Sequence, residues 1–318
     1  MLRSLFILLS KAKWAQDLIM KWSFSWKFAS RFIAGITIDE VIQVARTLNQ
    51  KGLNVTIDHL GENTINLEDT IGATNEIIEL LNAINENAVL ANVSIKLTQL
   101  GLSIDKQVCK NNLDRILEKA QDTNNFIRVD MEDSTLTQQT LELVTEAHSS
   151  HPHLGTVLQS YLYRSQQDVS NLLSECIPIR MVKGAYKESS NVAFPRKKDV
   201  DANFDKLTEM CLEKVNECRN KIVLTDNRFP PSIAVASHDE ERINHVIKVA
   251  ENKNISKELF EFQMLYGIRR DLQDYYSEKG FSVRVYVPYG THWYPYFMRR
   301  LAERPANVWF FVSNFFKN

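Results

Sequence analysis

SVRVYVPYGTHWYPYFMRRLAERPAN, residues 282–307, reads as one strand, one turn and one helix, and the chain before it repeats that grammar. Val283, Val285 and Val287 alternate with Arg284 and Tyr286, the period of a β-strand, and Pro288 to Gly290 turn the chain. Pro295 suits the first position of a helix, because its φ is already helical and its missing N–H is not needed there. Pro305 disfavours helix at the residue before it, so the expected helix runs from about Pro295 to about Glu303. At 100° per residue, Tyr296, Arg299, Arg300 and Glu303 share an arc of roughly 100°, with Phe297, Met298, Leu301 and Ala302 opposite. Such a polar side is ordinarily a solvated face held by ion pairs three or four residues apart. Here Arg precedes Glu, the poorer order for those pairs, and two adjacent guanidiniums are what a site needs to grip a carboxylate or phosphate bidentately.

Working upstream, strand-like runs appear at Leu53 to Ile57, Val93 to Leu97, Phe126 to Met131, Thr156 to Tyr161, Ile179 to Val182, Ile233 to Ala236 and Leu259 to Met264. Stretches of helical periodicity lie between them, among them Thr74 to Asn85, Asn112 to Gln121, Thr137 to His148, Asp201 to Cys218 and Asp239 to Ala250. Eight strands alternating with helices predict an α/β fold, a TIM-type (β/α)₈ barrel over residues 37–318, preceded by an N-terminal helical arm over residues 1–36. A doubly wound sheet shares the alternation, but none of the 10 glycines falls in a G-x-G-x-x-G or Walker pattern.

The 318 residues are 44% hydrophobic, enough for a sizeable core, and the net charge of -1 gives no global pull toward nucleic acid. The four cysteines, Cys109, Cys176, Cys211 and Cys218, form no CxxC pair and are expected to be buried thiols in a reducing cytoplasm. No run of eighteen or more apolar residues appears, so no transmembrane helix is expected. The pentad Leu5 to Leu9 is short for a secretory core and lacks a cleavage site, so the chain is expected to keep its start. The first 35 residues carry Arg3, Lys11, Lys13, Lys21, Lys27 and Arg31 against Asp17, with Trp14, Trp22, Trp26, Phe28 and Phe32 between them. That arm suits packing on the main domain with its lysines snorkelling, or a peripheral contact with the anionic inner face of the cell membrane. The aromatic run Trp309 to Phe316 is expected to pack on the body.

In a barrel, residues at the C-terminal ends of the strands converge on one mouth. The expected ends carry Lys96, Asp130, Gln159, Arg180 with Lys183 and Tyr186, His238, Tyr266 and Tyr286. Lys96 is costly to bury without a counter-charge, and a lysine emerging into solvent at a strand end is an equal reading of it. An N-cap role explains Asp133 but not Asp130. Gln159 sits in an apolar run where an unbonded amide is costly. Gly184 permits close approach to the backbone beside the cations Arg180 and Lys183. His238 has no H-x-H or H-E-x-x-H companion, so no metal site is expected, and His151 and His153 read as surface loop.

Taken with the strand Arg284-Val285-Tyr286, the turn Gly290-Thr291-His292 and the run Tyr296 to Leu301 followed by Glu303 and Asn307, these ends resemble the signature of the proline dehydrogenases, flavoenzymes of proline catabolism. The resemblance covers roughly residues 50 to 307. It departs modestly at Ser237, where the family usually has threonine, and at Asp239, where asparagine is common.

The resemblance implies FAD as cofactor and L-proline as substrate, oxidised to Δ1-pyrroline-5-carboxylate by hydride transfer to the flavin N5, with a quinone as electron acceptor. It implies that Asp130 and Arg180 are catalytic. Lys96, Arg299 and Arg300 would hold the substrate carboxylate with Glu303 aligning them, and Tyr186, Leu265, Tyr286 and Tyr296 would enclose the ring. Met131, Gln159, Arg180, Lys183, Gly184, Ala185, Ser237 and His238 would contact the flavin. With the chain ending at Asn318, the single-activity form is expected. Two other readings remain: a Schiff-base lyase using Lys183 or Lys96, and a non-catalytic barrel that binds a carboxylate through Arg299 and Arg300.

Overall fold

All eight apolar runs are strands, and they close into one parallel barrel in sequence order, the last pairing with the first. The protein is described from a computed structural model that covers residues 23–61, 64–218 and 226–303, with Ala12, Trp14, Gln16 and Ile19. In chain order the elements are α1 (Ser23–Ala29), α2 (Ile38–Asn49), β1 (Asn54–His59), α3 (Leu67–Glu86), β2 (Ala91–Ile95) and α4 (Lys106–Asp122). There follow β3 (Ile127–Val129), α5 (Thr137–His148), β4 (Leu154–Gln159), α6 (Ser165–Ser174), β5 (Ile179–Val182) and α7 (Lys197–Cys218). The last are β6 (Ile233–Ala236), α8 (Glu240–Asn252), β7 (Phe260–Leu265), α9 (Arg270–Glu278), β8 (Ser282–Tyr289) and α10 (Trp293–Glu303).

Helix starts follow local chemistry. Thr37 caps α2 in a reciprocal box with Glu40, and Asn66, Asp105 and Asp239 cap α3, α4 and α8 through their side chains. Pro295 is the third residue of α10 rather than the first. That position is still permitted, because the first four N–H groups of a helix have no partner within it.

The alternation seen in β8 sorts its side chains between two buried surroundings. Val283, Val285 and Val287 belong to the main hydrophobic core with the apolar faces of α2 to α5. Their polar neighbours face the barrel interior: Tyr286 reaches Asp130, across the barrel from β8, and Arg180 of β5 reaches Ser94 of β2. At the N-terminal ends of the strands, Arg284 donates through Nε to both carboxylate oxygens of Glu261, at 2.9 and 3.1 Å, and through its other nitrogens to the carbonyls of Val55 and Asn227. Arg128 donates to the carbonyls of Thr156 and Pro178. A smaller apolar cluster joins Ala29 and Ile33 to Tyr294, Phe297, Met298 and Leu301, so the described part of the arm packs against α10.

Two expectations are corrected. Cys176 and Cys218 are joined in a disulfide, 42 residues apart with Cα atoms 5.2 Å apart, and only Cys109 and Cys211 are separate buried thiols. No short spacing announced the pair, because folding, not sequence proximity, brings the end of α7 to the start of β5. His151 and His153 are half-buried rather than surface residues, and the His153 ring meets Phe229 edge-on at 4.8 Å. The run Trp309 to Phe316 lies outside the described residues.

Candidate active site

Asp130 stands one residue past β3 and is the hub of the barrel's C-terminal mouth. Its Oδ1 accepts from Arg180 at 2.7 Å, and its Oδ2 accepts from the Tyr286 hydroxyl at 2.7 Å and from Lys96 Nζ at 3.4 Å. Lys96 in turn lies 2.8 Å from Asp58 and 3.3 Å from the Tyr286 hydroxyl. The Arg180 guanidinium also donates to Ser94 and sits 5.3 Å over the Tyr286 ring. Two cations and two carboxylates from β1, β2, β3 and β5 are thus held together with a phenol from β8, all in surroundings where charge is poorly solvated. Burial and the Asp130 charge hold the Tyr286 phenol well above its usual range, so it stays a neutral donor.

Asp58 was missed by sequence reading because the β1 run was ended at Ile57, one residue short of it. Burial pushes its carboxyl up to about 6, with the Lys96 ammonium opposing that shift and Asp130 reinforcing it. An unfolded Asp ionises near 4, so between about pH 4 and about pH 6 the folded chain holds a proton that the unfolded chain lacks. The sign follows: this group takes stability away as pH rises through that window. Asp58→Asn is expected to remove that slope, so the wild type loses stability relative to the variant from pH 4 to 6 and the gap is flat above. Thermal melts of both across that range check it; a gap that does not change with pH contradicts it.

The other expected residues lie on the neighbouring strand ends, the loop after β5 and α10. Gln159, the last residue of β4, is 2% exposed; its Nε2 donates to the Glu132 carbonyl, and its Oε1 has no partner among the described residues. Met131 is buried. Lys183 turns away from the hub and pairs with Asp201 of α7 at 2.5 Å and Asp239 at 2.7 Å. Gly184 has φ +115°, and a Cβ there would lie 2.4 Å from the Tyr161 ring, so both backbone and space demand glycine. Ala185 is exposed and Tyr186 half-buried. Ser237 accepts from the Asp239 N–H at 3.1 Å. His238 Nε2 accepts from the Leu265 N–H at 2.9 Å, which puts the ring proton on Nδ1.

Leu265 ends β7 half-exposed at the same mouth. On α10, Tyr296 is buried under the Arg300 guanidinium, which sits 5.0 Å over its ring, and Arg299 and Arg300 are half-buried. The side chain of Glu303 lies outside the described residues.

A flavin fits this mouth on two observations. Among the described residues, the Gln159 Oε1 is a buried acceptor with no donor, and the Arg180 Nε is a buried donor with no acceptor. These are complementary to a planar ring with both N–H donors and carbonyl acceptors on its edge.

Comparison with known proteins gives the following. The family model described as proline dehydrogenase matches residues 41–312. The chain is 39% identical over 308 residues to "Proline dehydrogenase 2" of Bacillus subtilis (strain 168), covering 97% of this chain and 96% of that one. It is 40% identical over 299 residues to "Proline dehydrogenase" of Deinococcus radiodurans, covering 92% and 91%. Among solved structures, proline utilization A from Bdellovibrio bacteriovorus, inactivated by N-propargylglycine, superposes with a TM-score of 0.78 at 26% identity, covering 88% of this chain. The chain spans about a third of that structure's length (33%).

Proposed function

We propose, from the premise that this chain belongs to the proline dehydrogenase family and is an oxidoreductase, that it oxidises L-proline to Δ1-pyrroline-5-carboxylate with bound FAD and passes the electrons to a quinone. The observation that carries the reading is the Asp130 hub, where Lys96, Arg180 and Tyr286 meet one carboxylate at the mouth of the barrel. When bound, the flavin supplies the hydride acceptor. Met131, Gln159, Arg180, Lys183, Gly184, Ala185, Ser237 and His238 would hold it, Arg180 placing positive charge near the electron-rich edge of its reduced form.

Lys96, Arg299 and Arg300 would bind the substrate carboxylate, with Glu303 aligning the arginines. Tyr186, Leu265, Tyr286 and Tyr296 would enclose the ring and exclude water and larger amino acids. Asp130 balances the charge of Lys96 and Arg180 and fixes both in place, so that orientation and electrostatics, rather than a covalent nucleophile, lower the barrier. A Schiff-base lyase is the weaker reading. Lys96 and Lys183 each donate to two carboxylates, and an ammonium so engaged offers no lone pair to a carbonyl.

Arg300→Met is expected to raise KM for L-proline by at least about 10-fold, the loss of roughly 1.5–3 kcal/mol expected for a hydrogen bond to a charged group. FAD content should stay near that of the wild type. Steady-state kinetics beside the visible spectrum check this; equal losses of both would mark the arginine as structural.

Residues 1–36 are read as an arm distinct from the barrel of residues 37–318. No helix of the described residues is long and apolar enough to cross a membrane. Trp14, 67% exposed, and the exposed Lys27 support a peripheral contact of this arm with the inner face of the membrane, where a quinone is found.

A further inference from the structure

Between β5 and α7 the chain runs over the rim of the mouth from Lys183 to Arg196, carrying Gly184, Ala185 and Tyr186. A loop of this length keeps its side chains in place only if it is tied down. Its start is tied by Lys183 to Asp201 and Asp239, and its end by the bridge between Leu162 and Ala193 and the Phe194 N–H to the Tyr161 carbonyl at 2.8 Å.

The middle of the loop is tied by the Glu188 side chain, and further along the Tyr163 hydroxyl donates to the Ser190 carbonyl at 3.0 Å. Glu188 accepts from both the backbone N–H of Ser134, at 2.8 Å, and the Ser134 hydroxyl, at 2.6 Å, just past β3. The Tyr161 hydroxyl lies 3.5 Å from the same carboxylate while its ring closes against Gly184. A similar grip occurs one strand earlier, where Glu132 accepts from the Thr98 N–H and hydroxyl at 3.1 and 2.6 Å. A carboxylate taking two donors from one residue fixes both position and orientation, more than a single hydrogen bond does.

We propose that Glu188 is a positioning residue for the reaction: its clasp on Ser134 holds the rim loop closed so that Tyr186 lies over the substrate ring and Ala185 against the cofactor. The inference rests on the function proposed above. Glu188 is assigned to neither the substrate nor the flavin contacts, and it acts through where Tyr186 and Ala185 stand.

Glu188→Ala is expected to raise KM for L-proline by at least about 10-fold, with kcat within about threefold of wild type, because binding, not the hydride step, depends on the loop. Glu188→Gln keeps an acceptor for Ser134 and is expected to recover most of the loss. Hydrogen exchange of the amides from 184 to 192, measured without substrate, is expected to quicken at least 10-fold in Glu188→Ala. Ser134→Ala should raise KM less, and add less than twofold to Glu188→Ala, since the two side chains form one clasp. If Glu188→Ala does not fold, Ser134→Ala measured by the same two methods carries the test. A KM within twofold of wild type with unchanged exchange, or full additivity of the two substitutions, overturns the proposal. A wild-type protein whose flavin proline does not reduce would instead mean that the underlying function is wrong.

Discussion

Asp130→Asn lowers the rate at which L-proline reduces the bound flavin by at least about 100-fold, the magnitude seen when one preorganised electrostatic partner is removed from a water-poor site. Asparagine keeps the size of the side chain but not its charge. The Arg180 contact at 2.7 Å and the Tyr286 contact at 2.7 Å lose their anionic acceptor, and Lys96 retains Asp58 at 2.8 Å but loses its weaker contact at 3.4 Å. Arg180 and Lys96 are then free to move toward one another's former places, or toward the substrate carboxylate in the wrong geometry. Anaerobic stopped-flow reduction checks it, with the flavin content of the variant measured alongside. A rate within threefold of wild type would mean the hub is a structural ion pair and that the chemistry is set elsewhere.

Glu261→Gln destabilises the fold by about 3–5 kcal/mol at neutral pH, the usual cost of removing one partner of a buried ion pair. Arg284 and Glu261 are both 0% exposed, and the guanidinium left behind would have the carbonyls of Val55 and Asn227 and a neutral amide oxygen, but no counter-charge. The pair lies at the N-terminal ends of β7 and β8, the end of a barrel that serves stability rather than chemistry. Folded Glu261→Gln is therefore expected to turn over proline at nearly the wild-type rate. Replacing both residues, Glu261→Leu with Arg284→Met, is expected to recover much of the loss, because neither member then leaves its partner's charge behind. Denaturant melts of the single and double variants decide it; a single variant within 1 kcal/mol of wild type would contradict the assignment.

These two predictions separate what was legible in the sequence from what was not. The barrel could be read because parallel strands buried on both sides are short apolar runs, and all eight stand where the runs are, with β5 and β6 matching from first residue to last. Lys96, Asp130, Arg180 and Tyr286 could be placed at one mouth for the same reason: each is a polar residue in or near the end of such a run, Lys96 and Asp130 standing just past β2 and β3 and Arg180 and Tyr286 inside β5 and β8. Asp58 was lost to a strand end set one residue early. Glu261 and Arg284 were not recognised as a pair because no local pattern distinguishes a charge inside a barrel from one facing solvent.

Glu188 and Ser134 were out of reach for a different reason, since 54 residues separate them and only the closed barrel makes β3 and the β5 loop neighbours. The disulfide between Cys176 and Cys218 was hidden in the same way. Gly184 reads in the sequence as a place where a ligand approaches the backbone, whereas the structure gives it a cause of its own, the Tyr161 ring and a positive φ, that sequence alone does not contain.

The most direct measurement is a visible absorption spectrum of the purified protein, reconstituted with FAD where needed, before and after anaerobic addition of L-proline. A flavin spectrum that bleaches on adding proline is the predicted result, joining cofactor, substrate and half-reaction in one observation. A protein that takes up no FAD, or whose flavin stays oxidised with excess proline, would contradict the proposed reaction.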